Sequence, residues 1–141
     1  MNIQSPSAFA IEPRPKRSQA EFRLACVIAD VLRLRAKPGL YWTHLPFGEV
    51  RSARTGARLK RVGTRAGAPD YLLIWKGRPI GLELKAEGGR QTESQRDTET
   101  DWTLAGGLYA CTKGYAATVA FLEMLEVLEP DHSFIPAKGR E

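Results

Sequence analysis

The sequence predicts an α/β sandwich around a four-stranded mixed sheet with a C-terminal helix, in the order helix, three strands, helix, strand, helix. Three observations lead there. Two apolar runs rich in Leu, Ile, Tyr and Trp flank Lys76-Gly77, the pattern of two strands joined by a tight hairpin. Two Ser/Thr-x-x-Glu/Gln boxes, Ser18 to Glu21 and Thr92 to Gln95, open segments of helical character. A further β-rich run, Leu108 to Thr112, follows the second helix and precedes a last apolar helix.

Composition bounds the function. With 141 residues, 43% hydrophobic and 26% charged, the chain has the make-up of one soluble globular domain with a core of its own. A net charge of +5 favours an anionic partner, nucleic acid first. Cys26 and Cys111 form no Cys-x-x-Cys and sit in apolar surroundings, so they are expected to be small buried hydrophobes rather than a disulfide or a zinc site. There is no apolar run of about 18 residues and no apolar signal core, so no membrane association and a cytoplasmic location are expected. Neither G-x-x-x-x-G-K-[S/T] nor G-x-G-x-x-G occurs, which excludes a recognisable nucleotide-cofactor loop.

Taken in order, residues 1–17 read as a flexible basic arm containing Arg14, Lys16 and Arg17, residues 18–129 as the domain, and 130–141 as a tail. The first helix runs from Ser18 to a stop at Pro38-Gly39. It has one apolar stripe of Phe22, Ala25, Cys26, Ala29 and Leu32 and another of Leu24, Ile28 and Val31. Glu21 either caps this helix or points into a site beneath it. Leu40 to Pro46 is the first strand, and its lone His44 reads as structural or as a phosphate contact, not a zinc ligand.

Phe47 to Ala68 shows no periodicity and reads as a long loop. It holds Arg51, Arg54, Arg58, Lys60, Arg61 and Arg65 with no acidic residue between Val50 and Pro69, a composition suited to a DNA phosphate backbone. The second helix runs from Thr92 to about Ala105, with Gln95, Thr98, Trp102 and Ala105 on one face. Gln95 serves there as the cap, as a polar ligand to water or phosphate at a site, or as both. The last helix begins at Gly114 and runs to Pro130, with Ala117, Ala120, Phe121, Met124, Leu125 and Leu128 as its core stripe.

The hairpin carries the chemistry. If Lys76 and Gly77 form the loop, Trp75 faces Arg78, Leu73 faces Ile80, and Asp70 faces Glu83. Opposed side chains lie on one face, and Lys85 shares it by alternation. Two facing carboxylates with an ammonium beside them form a place where a divalent cation would relieve like-charge repulsion.

Pro69-Asp70 followed by Glu83-Leu84-Lys85, in αβββαβ order, resembles the restriction-endonuclease-like PD-(D/E)xK nucleases, and within them the VRR-NUC family. The matching segments are Glu21, His44-Leu45-Pro46, Leu59-Lys60-Arg61-Val62-Gly63, Gly67-Ala68-Pro69-Asp70, Glu83-Leu84-Lys85, Gln95 and Gly106 or Gly107, spanning roughly residues 18 to 126. A departure is Phe47-Gly48-Glu49, where many relatives carry Asn-Gly. The resemblance implies a Mg²⁺- or Mn²⁺-dependent DNA endonuclease of the stand-alone phage or bacterial type. Asp70, Glu83, the Leu84 carbonyl and Glu21 would hold the metal; Lys85 and Gln95 would complete the catalytic set. It further implies branched DNA as substrate, with four-way junction resolution by a homodimer. A non-catalytic or end-processing DNA-binding protein on the same fold is the alternative.

Overall fold

The structure, a computed structural model, describes residues 18–48 and 52–132; the expected arm, Arg51 and most of the expected tail lie outside them. The elements are α1 (Gln19–Arg35), β1 (Tyr41–His44), a short 3-10 turn (Pro46–Gly48), α2 (Ala53–Arg61), β2 (Tyr71–Trp75), β3 (Arg78–Lys85), α3 (Glu93–Leu104), β4 (Leu108–Lys113) and α4 (Gly114–Met124). The sheet order is β1-β2-β3-β4, antiparallel for the first two pairs and parallel between β3 and β4.

The hairpin forms in the register expected from its turn. Lys76 and Gly77 both have positive φ (49° and 79°), as a two-residue turn matched to strand twist requires. Trp75 pairs with Arg78, Leu73 with Ile80 and Tyr71 with Leu82. Alternation then turns Tyr71, Leu73, Ile80, Leu82 and Leu84 to one face, where they join Leu24, Ile28 and Leu32 of α1 and Leu122 of α4 in the core. Burial of each large apolar side chain contributes about 1.5–3 kcal/mol. Opposed like charges cost only about 0.2–1 kcal/mol. A one-residue slip would forfeit several burials to relieve one repulsion, so the core fixes the carboxylates on the other face. Tyr71 secures this side further: its hydroxyl donates to the Ala25 carbonyl (2.9 Å), and the rings of His44 and Trp42 pack against its own. His44 thus packs edge-on against Tyr71.

Five expectations are corrected. The stretch from Phe47 to Ala68 is not a loop throughout but contains α2, capped by Ser52, whose hydroxyl accepts from the Thr55 amide. This helix buries no residue, so no apolar stripe announces it. On α1 the buried line is Leu24, Ala25, Ile28, Ala29, Val31 and Leu32, whereas Phe22 and Cys26 face outward. Cys111 is only half-buried, so neither cysteine is the interior hydrophobe expected. Helix α1 also stops at Arg35, before Pro38-Gly39.

The last correction concerns α4. Its sequence is apolar almost all round, which makes its inner face ambiguous; Thr118 and Leu122 are buried while Met124 is 70% exposed. The helix ends at Met124 because Glu126 takes a positive φ (60°) and turns the chain back. Val127 and Leu128 then enter the core beside the end of α1. The Val127 carbonyl accepts from the Lys37 amide (2.9 Å), and Arg35 reaches Glu123 at 3.0 Å.

No helix among the described residues is long and apolar enough to cross a membrane.

Candidate metal and nucleic-acid site

The face of the sheet opposite the core is where the predicted site residues meet. Continuing the β2–β3 register one step past Tyr71 and Leu82 sets Asp70 opposite Glu83. Asp70 is pinned from both sides. Its Oδ2 accepts from the Leu84 amide (2.7 Å), and its carbonyl accepts from the Leu45 amide (2.7 Å). Glu83 and Lys85 are 3% and 6% exposed, and Lys85 Nζ stands 3.4 Å from Glu83 Oε1. A buried charge pair is tolerated only when its geometry and remaining hydrogen bonds are good.

Gln95 supplies one of those bonds. Its Nε2 donates to Glu83 Oε1 (2.6 Å), while its Oε1 accepts from the Thr92 amide (2.8 Å). The Thr92 hydroxyl in turn accepts from the Gln95 amide (3.3 Å), completing a capping box. One side-chain amide therefore caps α3 and orients Glu83.

What brings α3 so close is Gly67. It has φ of 83°, and a Cβ placed on it would lie 2.1 Å from the Ser94 carbonyl oxygen and 2.8 Å from the Gln95 nitrogen. Further along α3, the Thr98 hydroxyl donates to the Ala66 carbonyl (3.3 Å), and Arg65 pairs with Asp101. The segment from Arg65 to Gly67 is thus laid against α3, and Pro69 and Asp70 follow from it. Arg65, expected on DNA, has this local partner.

The other basic residues stay outward. Arg54, Arg58 and Arg61 fall at i, i+4 and i+7 of α2, one stripe of an exposed helix, with Lys60 beside it. Among the described residues, none of these four takes part in an ion pair. Glu21 comes to the end of β3 near Lys85: a Cβ placed on Gly89 would lie 3.4 Å from both Glu21 Oε1 and Lys85 Cβ. The Glu21 amide is capped by Ser18 (3.1 Å). Among the described residues, no three His, Cys, Asp or Glu side chains cluster as metal ligands.

Three residues on this face were not foreseen: Glu99, Tyr109 and Cys111. The parallel register pairs Gly81 with Tyr109 and Glu83 with Cys111, setting both β4 side chains on the site face. Glu99, one turn after Gln95, accepts from Gln91 (3.1 Å). Burial, and then the negative charge of Glu83, push the Tyr109 hydroxyl far above the usual tyrosine range and raise the Cys111 thiol as well. Tyr109 Oη is buried without a hydrogen-bond partner among the described residues. An unsatisfied buried hydroxyl costs about 1–3 kcal/mol. Tyr109→Phe is therefore expected to stabilise the protein by about 1 kcal/mol in urea denaturation; a lowered midpoint would show that the hydroxyl is bonded in solution.

The fold of this chain is similar to that of a solved structure described as a "VRR_NUC domain protein", with a TM-score of 0.64 at 19% identity over 79% of this chain and 92% of that one. The chain has the VRR-NUC fold. No family model matches it, and no curated protein does.

At the open end of this hairpin the chain's own residues form an oxygen-rich set whose chemistry can be compared with that of a metal ion. Asp70, Glu83 and the Leu84 carbonyl offer hard oxygen donors, and His44 lies on the opposite face. Mg²⁺ keeps several of its waters and is typically held by one or two carboxylates, so this set fits it without a third acidic side chain. Zinc, which favours nitrogen and sulfur, is a poorer match.

Proposed function

We propose that this protein is a Mg²⁺- or Mn²⁺-dependent DNA endonuclease that hydrolyses phosphodiester bonds, selective for branched DNA and acting on four-way junctions as a homodimer. The observation that carries the proposal is Glu83 Oε1, shared by the Lys85 ammonium and the Gln95 amide opposite Asp70. Pure binding has no need of facing carboxylates. The resemblance of motif order and the VRR-NUC fold support the same reading.

Asp70, Glu83 and the Leu84 carbonyl would hold the ion, with Glu21 at the margin. When bound, the ion supplies a water of lowered pKa and positive charge at the phosphate. Gln95 keeps Glu83 oriented. Lys85, fixed before any substrate arrives, meets charge that develops on the phosphate oxygens, the preorganised stabilisation that lowers barriers most. The stripe of Arg54, Arg58 and Arg61 holds the DNA backbone without reading sequence. A symmetric dimer would place two such centres at a fixed separation, as a two-fold junction requires.

Labelled junction, flap, duplex and single-stranded DNA, each with Mg²⁺ or EDTA, form the test. Metal-dependent cutting by the wild type, lost in Asp70→Asn with binding retained, supports the proposal. Binding without cutting on every substrate and metal would make the protein a non-catalytic DNA-binding module. In the same binding assay, Arg58→Ala combined with Arg61→Ala should reduce the slope of log affinity against log salt by about 2. An unchanged slope would remove α2 from the interface.

A further inference from the structure

Beside the facing carboxylates is a cleft of about 460 Å³ that the cleavage chemistry does not use. Leu45 and Pro69 form one wall. These residues bracket Asp70, since Leu45 donates its amide to the Asp70 carbonyl and Pro69 immediately precedes it. Trp102 and Thr98 of α3 form a second wall, Thr98 lying three residues after Gln95 on the same helix stripe. The remaining sides come from Phe47 and from Val62, the residue that ends α2.

The character of this cleft differs from its surroundings. Its lining is mostly apolar and aromatic, with Thr64 and Thr98 among it, and the Thr98 hydroxyl is already bonded to the Ala66 carbonyl. Its cation, Arg65, is paired with Asp101. Such a surface repels a phosphate and suits the π-face of a base, which stacks on aromatic side chains regardless of sequence. Val62 is 79% exposed although it follows the basic stripe directly, an apolar rim where the backbone-binding helix ends. Since Val62 ends α2 and also lines the cleft, a strand whose phosphates follow Arg54, Arg58 and Arg61 to the end of that helix reaches this opening.

We propose that the cleft receives one unpaired nucleobase adjacent to the bond to be cut. The protein then selects DNA with an unstacked nucleotide at the branch, because a base held in a duplex cannot present its face to the walls. This rests on the nuclease reading for its purpose, but not for its measurement.

The probes are an oligothymidylate and an abasic oligomer of equal length, which carry the same phosphates. Binding is measured in EDTA, so that no cutting occurs. The oligothymidylate should bind about tenfold more tightly than the abasic oligomer, within the range expected for stacking of a single base. Phe47→Ala should bring the oligothymidylate close to the abasic value and leave the abasic affinity unchanged. Val62→Ser, at an exposed position that the fold does not depend on, should move it in the same direction. Annealing the strand to oligoadenylate should abolish the effect of Phe47→Ala.

Equal affinities for the two oligomers would overturn the proposal. So would equal weakening of both by Phe47→Ala, or the same Phe47 dependence on the duplex. A base preference in a protein that cuts no substrate with any metal would retain the cleft and remove the nuclease. Metal-dependent cutting without a base preference would do the reverse.

Discussion

Replacing Lys85 by alanine is expected to lower phosphodiester cleavage by about two to three orders of magnitude, the usual effect of removing one preorganised charge from a transition state. Stability should fall with it. Lys85 and Glu83 are buried together at 3.4 Å, and removing one member of such a pair leaves the other as a charge out of water. That typically costs about 3–5 kcal/mol. The Gln95 amide still donates to Glu83 Oε1, so the lower end of that range applies. Lys85→Met loses the same charge but keeps the packing of the stem, so the difference between the two variants reports the packing alone. Urea midpoints and single-turnover cleavage of both variants check this. Unimpaired cleavage by Lys85→Met would remove the ammonium from the chemistry.

Gly67→Ala should have an effect of comparable size without touching a substrate. Its Cβ would stand 2.1 Å from the Ser94 carbonyl oxygen, a backbone atom that cannot rotate aside. Residue 67 also keeps a positive φ of 83°, which adds about 1–2 kcal/mol for any residue with a side chain. Either the loop or the start of α3 must move, and with α3 moves Gln95. The expected result is a loss of about 3 kcal/mol or more, together with a fall in cleavage as Glu83 loses its orienting amide. Gly63 provides the control: its φ is 96° but a Cβ there meets nothing within 4 Å. Gly63→Ala should therefore show the conformational cost alone, about 1–2 kcal/mol, in the urea midpoint. Equal losses in the two variants would mean that the approach of Gly67 to α3 does not matter.

Most of the centre was legible because local rules govern it. A two-residue turn sets the hairpin register, and counting outward from Lys76-Gly77 brings Asp70 opposite Glu83 with Lys85 on the same face. Likewise the Thr92 box positions Gln95 where α3 begins. Helix α2 was not legible, because a helix that buries nothing lacks the apolar spacing by which helices are read. Tyr109 and Cys111 escaped for another reason. Their alignment with Gly81 and Glu83 is set by a parallel crossover through α3, whose register depends on packing rather than on a turn. The near-uniform apolarity of α4 hid its inner face, and the sharp turn at Glu126 rests on no Gly or Pro at that position. The close approach of Gly67 to Ser94 is likewise tertiary, although the glycine itself stood in plain view.

The central claim is that the hairpin's open end holds a divalent metal for phosphodiester hydrolysis. Anomalous diffraction from crystals soaked in Mn²⁺ tests it most directly. The expected result is a peak between the carboxylates of Asp70 and Glu83, within reach of the Leu84 carbonyl and absent in Asp70→Asn. No peak there at saturating Mn²⁺, or one that persists unchanged in Asp70→Asn, would contradict the account.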